Sequence, residues 1–193
     1  MKRVLIFISI FFLNLSVLAD DISDFQIEGI AIGDSLLNYY SEKEIREMMV
    51  ANTSIWYPAN AYVAIGVKSD NFKTYEELGI VLDPTNNNYI IHGLEGTFNY
   101  QDDIESCYKK QDTITSDLKN MFTNSVEFNS YKSKYTRDES GKSIVKYNDF
   151  YFANGGAIRV ICYDMSKDFY DPNDQLYLAI NSKTFFDWLN NNM

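Results

Sequence analysis

The few reactive side chains of this sequence could form a hydrolytic site. His92 is the single histidine, and an imidazole can act as a general base near neutral pH. A serine nucleophile needs such a base beside it and separate donors that hold the oxyanion. Ser35 and His92 are therefore the candidate catalytic residues, provided that the fold brings them together. Otherwise Ser35 is a helix cap and His92 is a residue of the core or its rim.

The string Gly33-Asp34-Ser35-Leu36 resembles the nucleophile block of the GDSL (SGNH) family of esterases and lipases. The resemblance implies a serine hydrolase with its nucleophile near the N-terminus. The other blocks of that family, Gly-x-Asn-Asp and Asp-x-x-His, do not occur in this sequence. His92 also lies in the middle of the chain, whereas the family places its histidine near the C-terminus. We interpret Asp34 and Ser35 as helix caps and keep an esterase that uses Ser35 as an alternative.

A run of aspartates near the C-terminus offers oxygen ligands. Asp164, Asp168 and Asp171, followed by Asp174, could hold calcium in a loop. Their spacing departs from the EF-hand pattern, and Pro172 among them favours an exposed acidic turn. Calcium is a minor alternative, and we expect no cofactor and no zinc, because the sequence contains no Cys/His cluster.

Cys107 and Cys162 are the two cysteines of the chain. In an exported protein two cysteines most simply pair, so we predict a disulfide between them. The alternative is a pair of buried thiols that pack as small hydrophobic side chains.

The N-terminus has the order of a secretory signal. Lys2 and Arg3 precede an apolar run from 4 to 13, and small residues at 17 and 19 suit signal peptidase. An uncleaved anchor is less favoured, since a membrane span needs about 20 apolar residues. Asp20 stands where a lipoprotein would carry cysteine. We expect cleavage after Ala19, no membrane span in the mature chain, and a periplasmic or secreted location.

Residues 30–37 and 41–45 resemble a segment of small exported proteins from marine bacteria with AT-rich genomes. That group has no known activity. The preference for lysine over arginine and the many asparagines in the sequence agree with such an origin. The resemblance supports export and implies no particular function.

Charge limits the classes of partner. The chain has 17 basic and 27 acidic residues and a net charge of −10. Cleavage after Ala19 removes two basic residues and no acidic one, which takes the charge to −12. Such a surface repels nucleic acid and anionic lipid. The expected partner is a protein or a small ligand.

Periodicity of apolar residues predicts the elements that must position these side chains. A signal at 1–19 leaves residues 20–193 as one domain. The predicted helices begin near Ser35, Ser41, Asp102 and Ser182, and the longest runs from about Asp103 to Phe122, with Asp102 and Glu105 as its cap. The predicted strands are Phe25 to Ile32 with a bulge at Gly29, Ala61 to Lys68, Gly79 to Leu82, Tyr89 to Tyr100, Val126 to Tyr135, Ile144 to Ala153, Ala157 to Asp164 and Leu176 to Ile180.

These elements predict an α+β fold. Asn154-Gly155 between two alternating segments is a strong hairpin signal, so the strands of the C-terminal half should form an antiparallel meander. We expect the helices to pack mainly on one face of this antiparallel β-sheet.

Aromatic residues suggest a binding role. The chain contains 15 tyrosines and 13 phenylalanines, with runs at 39–40, 150–152 and 169–170. Aromatic side chains pair across sheets, and they also form binding surfaces. The first hypothesis is a non-enzymatic module that binds a partner protein or a small ligand through an aromatic face of its sheet. The alternatives are a serine hydrolase and an accessory protein of envelope assembly.

Overall fold

The computed structural model describes residues 22–68, 70, 72–75, 77–122 and 126–193. The helices of eight or more residues are α1 (Glu42–Met49), α2 (Ile104–Met121) and α3 (Lys183–Asn192). The strands are β1 (Gln26–Ile27), β2 (Ile30–Ala31), β3 (Ile55–Trp56), β4 (Val63–Val67), β5 (Leu78–Leu82), β6 (Ile91–Gln101), β7 (Val126–Lys134), β8 (Ile144–Phe152), β9 (Ala157–Asp164) and β10 (Asp174–Asn181). The predicted α+β class is confirmed.

Eight of the strands form one antiparallel sheet in the order β3-β4-β5-β6-β10-β9-β8-β7. The first four strands follow one another as a meander, and so do the last four. The predicted hairpin between β8 and β9 is confirmed, and Gly155 takes a positive φ of 91° in its turn. The chain leaves the middle of the sheet after β6, crosses through α2 to the far edge at β7, and returns strand by strand until β10 pairs with β6.

One face of the sheet, which we call the core face, packs against α1 and α2. Helix α1 begins at Ser41 as predicted, through a capping box with Glu44, and its Ile45 and Met49 are buried against β4. Helix α2 buries Cys107 and Leu118 together with the polar Gln111 and Thr115. Gln111 and Thr115 can be buried because the sheet beneath α2 offers them hydrogen-bond partners. The amide of Gln111 donates to two strand carbonyls, at 2.9 and 2.8 Å.

The predicted disulfide between Cys107 and Cys162 is confirmed. It joins α2 to β9 on the core face, across a Cα–Cα distance of 6.1 Å. Both residues are fully buried.

Helix α3 packs on the opposite face, so the helices lie mainly, but not all, on one side. The predicted cap at Ser182 is confirmed, and its hydroxyl accepts from the amide of Phe185 at 3.3 Å. Phe185 is fully buried against Ala64 and Val81. A Cβ on Gly93 would lie 2.8 Å from Val81 and 3.3 Å from the Phe185 ring. Glycine in β6 therefore makes room for α3.

Three local predictions were wrong. Asp34 does not cap a helix, because its carboxylate accepts from the amide of Ala31 at 3.1 Å and from the Tyr39 hydroxyl at 2.8 Å. The segment from Phe25 to Ile32 is not one bulged strand. It is a hairpin of β1 and β2, because Glu28 and Gly29 both adopt positive φ in the turn between them. The cap of α2 is Asp103 rather than Asp102, and its carboxylate accepts from the amide of Ser106 at 3.1 Å.

The predicted signal at residues 1–19 lies outside the described residues. Within the described part of the chain, no helix is long and apolar enough to cross a membrane.

Candidate binding face

The structure gives Ser35 and His92 separate partners. The Ser35 hydroxyl donates to the carbonyl of Asn88 at 2.6 Å and accepts from the amide of Leu37, so it caps a 3-10 turn as predicted. His92 lies in β6 next to the buried Ile91, and alternation along the strand directs its ring to the face of α3. Its Nδ1 is 3.3 Å from the Ser182 hydroxyl and 3.1 Å from that of Thr184.

No hydrogen bond joins Ser35 to His92 among the residues that the structure describes. Burial lowers the pKa of His92, and the negative charge of Asp83 partly opposes this effect. The arrangement therefore gives no support to a hydrolytic pair.

The predicted calcium aspartates have other partners. Asp168 pairs with Lys142 at 2.6 Å, and Asp171 accepts from the Asn173 amide at 2.8 Å. Asp164 ends β9. Within the described ranges, no three acidic, cysteine or histidine side chains form a group that could hold a metal ion.

The second face of the sheet, beyond the end covered by α3, carries the strongest candidate site. We call this part the open face and define it by the side chains that alternate with the core residues of β6, β10, β9 and β8 and by one tyrosine of β7. These are Glu95, Thr97, Tyr177, Arg159, Tyr163, Tyr147 and Tyr131.

One row across the sheet forms a trough in this face. Strand pairing places Gly66 beside Gly79, Gly79 beside Glu95, Glu95 beside Ala179 and Ala179 beside Arg159. Small residues on both sides leave room above the sheet for the Glu95 side chain. A Cβ on Gly79 would lie only 3.1 Å from Glu95. The glycine thus explains how a carboxyl group fits in the middle of an eight-stranded sheet.

Glu95 has no cationic partner among the described residues. Burial raises the pKa of its carboxyl group, and a polar contact with the Tyr177 hydroxyl opposes this shift. Arg159 lies two strands away in the same row, and at the usual strand spacing two steps correspond to about 10 Å. The Glu95 carboxyl is therefore a partly buried acid without a counter-ion.

Three tyrosines interact electrostatically with this carboxyl, and one of them, Tyr177, lines the same cavity. Burial raises the pKa of Tyr177 well above its usual value, and the charge of Glu95 raises it further. The same two effects raise the pKa of Tyr57. Burial raises the pKa of Tyr163 to about 12, with smaller effects from neighbouring charged groups that include Glu95. The hydroxyl groups of all three tyrosines therefore remain neutral at physiological pH.

Arg159 is held by a different acid. Its Nε lies 3.2 Å from Oδ1 of the fully buried Asp149, and one of its terminal nitrogens lies 3.2 Å from Oδ2. The hydroxyls of Tyr131 and Tyr151 also donate to Asp149, at 3.2 and 3.1 Å. The guanidinium carbon lies 5.2 Å from the centre of the Tyr147 ring. This network of hydrogen bonds holds the side chains of Arg159, Tyr131 and Tyr151 in place on the open face beside the trough.

Two cavities meet at Tyr177. The first, of about 560 Å³, lies along β6 beyond Glu95, past the last described pairing of β6 with β5. Its lining includes Glu95, Thr97 and Asn99 from β6, with Tyr75 and Glu77 from the segment before β5.

The second cavity, of about 370 Å³, has aromatic and polar walls, and the polar part includes Arg137 and Asp171. Its lining residues include Ile55, Tyr135, Tyr163, Phe169, Tyr170 and Tyr177. Ile55 belongs to one edge strand and Tyr135 directly follows the other. The sheet therefore curls enough to bring both ends to one concave site.

Glu28 anchors the wall of the first cavity. Its carboxylate accepts from the amides of Lys73, Thr74 and Tyr75, at 2.7, 2.6 and 3.2 Å. The hydrogen bond from the Lys73 amide contributes most to the lowered pKa of Glu28. Glu28 thus has two roles. Its positive φ allows the turn of the first hairpin, and its carboxylate holds the segment that forms the cavity wall.

Sequence reasoning did not select Glu95, Arg159 or Asp149. A usable signal was present in β6, where Glu95 interrupts an apolar strand between Gly93 and Gly96. An acid flanked by glycines in a strand indicates a special environment, but the identity of its cross-strand neighbours depends on pairings between distant segments.

Comparison of the chain with protein-family models, with curated protein sequences and with solved structures found no significant match. Arguments about function therefore rest on the geometry of the chain itself.

Proposed function

We propose that this chain is an exported, non-enzymatic binding protein that acts in the periplasm or outside the cell, and that its open face holds a small organic ligand. The observation that carries the proposal is the meeting of two cavities at Tyr177 on one concave, tyrosine-rich surface. Clefts of several hundred Å³ with aromatic walls and a few polar groups are typical of small-molecule sites.

Exposure of large side chains supports a binding role for this surface. Tyr170 is 84% exposed and Ile55 is 65% exposed, and both line the second cavity. Exposed aromatic and aliphatic side chains grouped around a concavity favour a ligand or a partner. The two cavities favour a small ligand, because a flat partner surface would not fill them.

Native mass spectrometry of the protein purified after export tests this proposal. We expect a chain that begins at Asp20 and carries an additional non-covalent mass. Tyr177→Leu removes the ring where the cavities meet and should reduce the bound fraction at least about tenfold. Tyr108→Leu is the matched control, since Tyr108 is a half-buried tyrosine of α2 that lies outside the lining of both cavities, and it should keep the ligand.

A wild-type protein that carries no ligand, and that shows no binding when screened against a library of small metabolites, would contradict the small-ligand proposal. An unprocessed N-terminus would contradict export. Loss of ligand in both variants would mean that it binds elsewhere.

A further inference from the structure

The Glu95 carboxyl is the one acidic group of the open face that lacks a counter-ion among the described residues. Asp149 is matched by Arg159. Glu77 lines the same cavity, but it is more exposed and lies 3.1 Å from Lys68. Of the acids described at this cavity, Glu95 alone has no cation beside it.

An isolated carboxylate in a partly buried site is costly unless a partner replaces its lost hydration. The polar partner of Glu95 among the described residues is the neutral Tyr177 hydroxyl, which donates a single proton. Because Glu95 also lines the first cavity, its remaining acceptor capacity is available to a ligand there. A ligand with N–H donors and a positive charge would satisfy it.

The aromatic surroundings point to the same ligand chemistry. Tyr57, Tyr163 and Tyr177 all lie within the electrostatic reach of Glu95. Tyrosine rings attract cations through their π-electrons, and a carboxylate among such rings favours ammonium groups over neutral ones. Past Tyr177 the second cavity offers aromatic walls to an apolar part of the ligand.

We propose that the open face recognises an organic amine, with its ammonium group at Glu95 and its apolar part over Tyr177 and Tyr163. This inference rests on the proposed function and adds the chemical class of the ligand. We therefore expect the site to select ligands by the charge of the group at Glu95 and to accept different apolar groups over Tyr177 and Tyr163.

Three small probes of the same size and different charge provide the test. These are 2-phenylethylamine, which is a cation at pH 7.5, neutral 2-phenylethanol, and anionic phenylacetate. Each is titrated by calorimetry into the exported wild-type protein, freed of its own ligand by dialysis, and binding sites are mapped by amide chemical shifts. We expect the amine to bind at least about tenfold more tightly than the alcohol, and the acid to bind most weakly.

Glu95→Gln should remove the preference for the amine and leave the affinity for the alcohol within about threefold of the wild-type value. Glu47→Gln is the matched control, because Glu47 is an exposed acid on α1 that pairs with Lys43 at 3.7 Å. The control should keep the full preference. The ranking of the three probes in the wild type tests the inference even if Glu95→Gln folds poorly.

The outcomes separate the two proposals. Equal affinities for amine and alcohol at the open face, or a preference that survives Glu95→Gln, would overturn the inference and leave a ligand site in place. Failure of all three probes to shift any resonance of the open face at millimolar concentration would count against the ligand site itself.

Discussion

At the scale of single residues, the proposed site depends on Glu95, whose carboxyl group is partly buried and has no counter-ion among the described residues. Glu95 can sit in an apolar strand because Gly79 and Ala179 leave space beside it, and its carboxyl group lines the first cavity. The sheet thus keeps a binding group at some cost in stability, which is a common feature of functional sites.

Glu95→Gln should reveal that cost as a function of pH. The folded-state pKa of Glu95 is raised by burial, so the folded protein holds this proton more tightly than the unfolded chain does. Stability is therefore lost as pH rises from the usual glutamate range through the raised pKa. The variant should have a higher unfolding midpoint than the wild type at pH 8 and no such gain at pH 3.5, measured by thermal denaturation of the ligand-free proteins.

The control for this measurement is again Glu47→Gln, which should change the free energy of unfolding by no more than about 0.5 kcal/mol. A loss of stability at pH 8 in Glu95→Gln would show that the charged carboxylate is well satisfied by the protein alone. In that case the argument for a cationic ligand would fail.

At the scale of elements, α3 closes one end of the open face. Its anchor is Phe185, whose ring lies 5.3 Å from Tyr57 and 4.8 Å from Tyr62. The negative charge of Glu95 in turn contributes to the raised pKa of Tyr57. The packing of the last helix therefore influences the wall of the site.

Phe185→Ala should destabilise the protein by about 3 to 5 kcal/mol, because it leaves a cavity at a fully buried position. The neighbouring Phe186 is only partly buried, and Phe186→Ala should cost about 1 to 2 kcal/mol by the area that it loses. Urea denaturation of both variants makes the comparison. Similar losses for the two variants would contradict the assigned orientation of α3.

Several elements could be predicted from local sequence alone, because their signals involve residues a few positions apart. Ser41 and Ser182 predict the helices that follow them, and Asn154-Gly155 predicts a turn. The first hairpin was missed because Glu28 adopts a positive φ, which is unusual for this residue type. The α2 cap was placed one residue early, since Asp102 and Asp103 are equally good candidates from composition.

At the scale of the whole molecule, two meanders are joined at the pairing of β6 with β10. That pairing brings residue 95 beside residue 179 and builds the trough. No pattern in the sequence specifies it, because the alternation of β6 is compatible with many partners. The class of fold was therefore predictable, whereas the row from Gly66 to Arg159 and the site above it were not.

The disulfide ties the crossover between the two meanders to the sheet. Replacing both cysteines by alanine should lower the free energy of unfolding by about 4 kcal/mol, because the bond closes a loop of 55 residues in the unfolded chain. Urea denaturation with and without a reductant measures this loss. The wild type in reductant should match the variant, and an equal stability of oxidised wild type and variant would contradict the prediction.

The most direct test of the central claim is a chemical-shift map of the isotope-labelled protein titrated with a small-molecule extract of the cells that produce it. We expect shifts concentrated at Thr97, Tyr163 and Tyr177, with Tyr39 and the residues of α1 unaffected. Shifts confined to the core-face helices or to the exposed edge of β7, or no shifts at all, would contradict a ligand site on the open face.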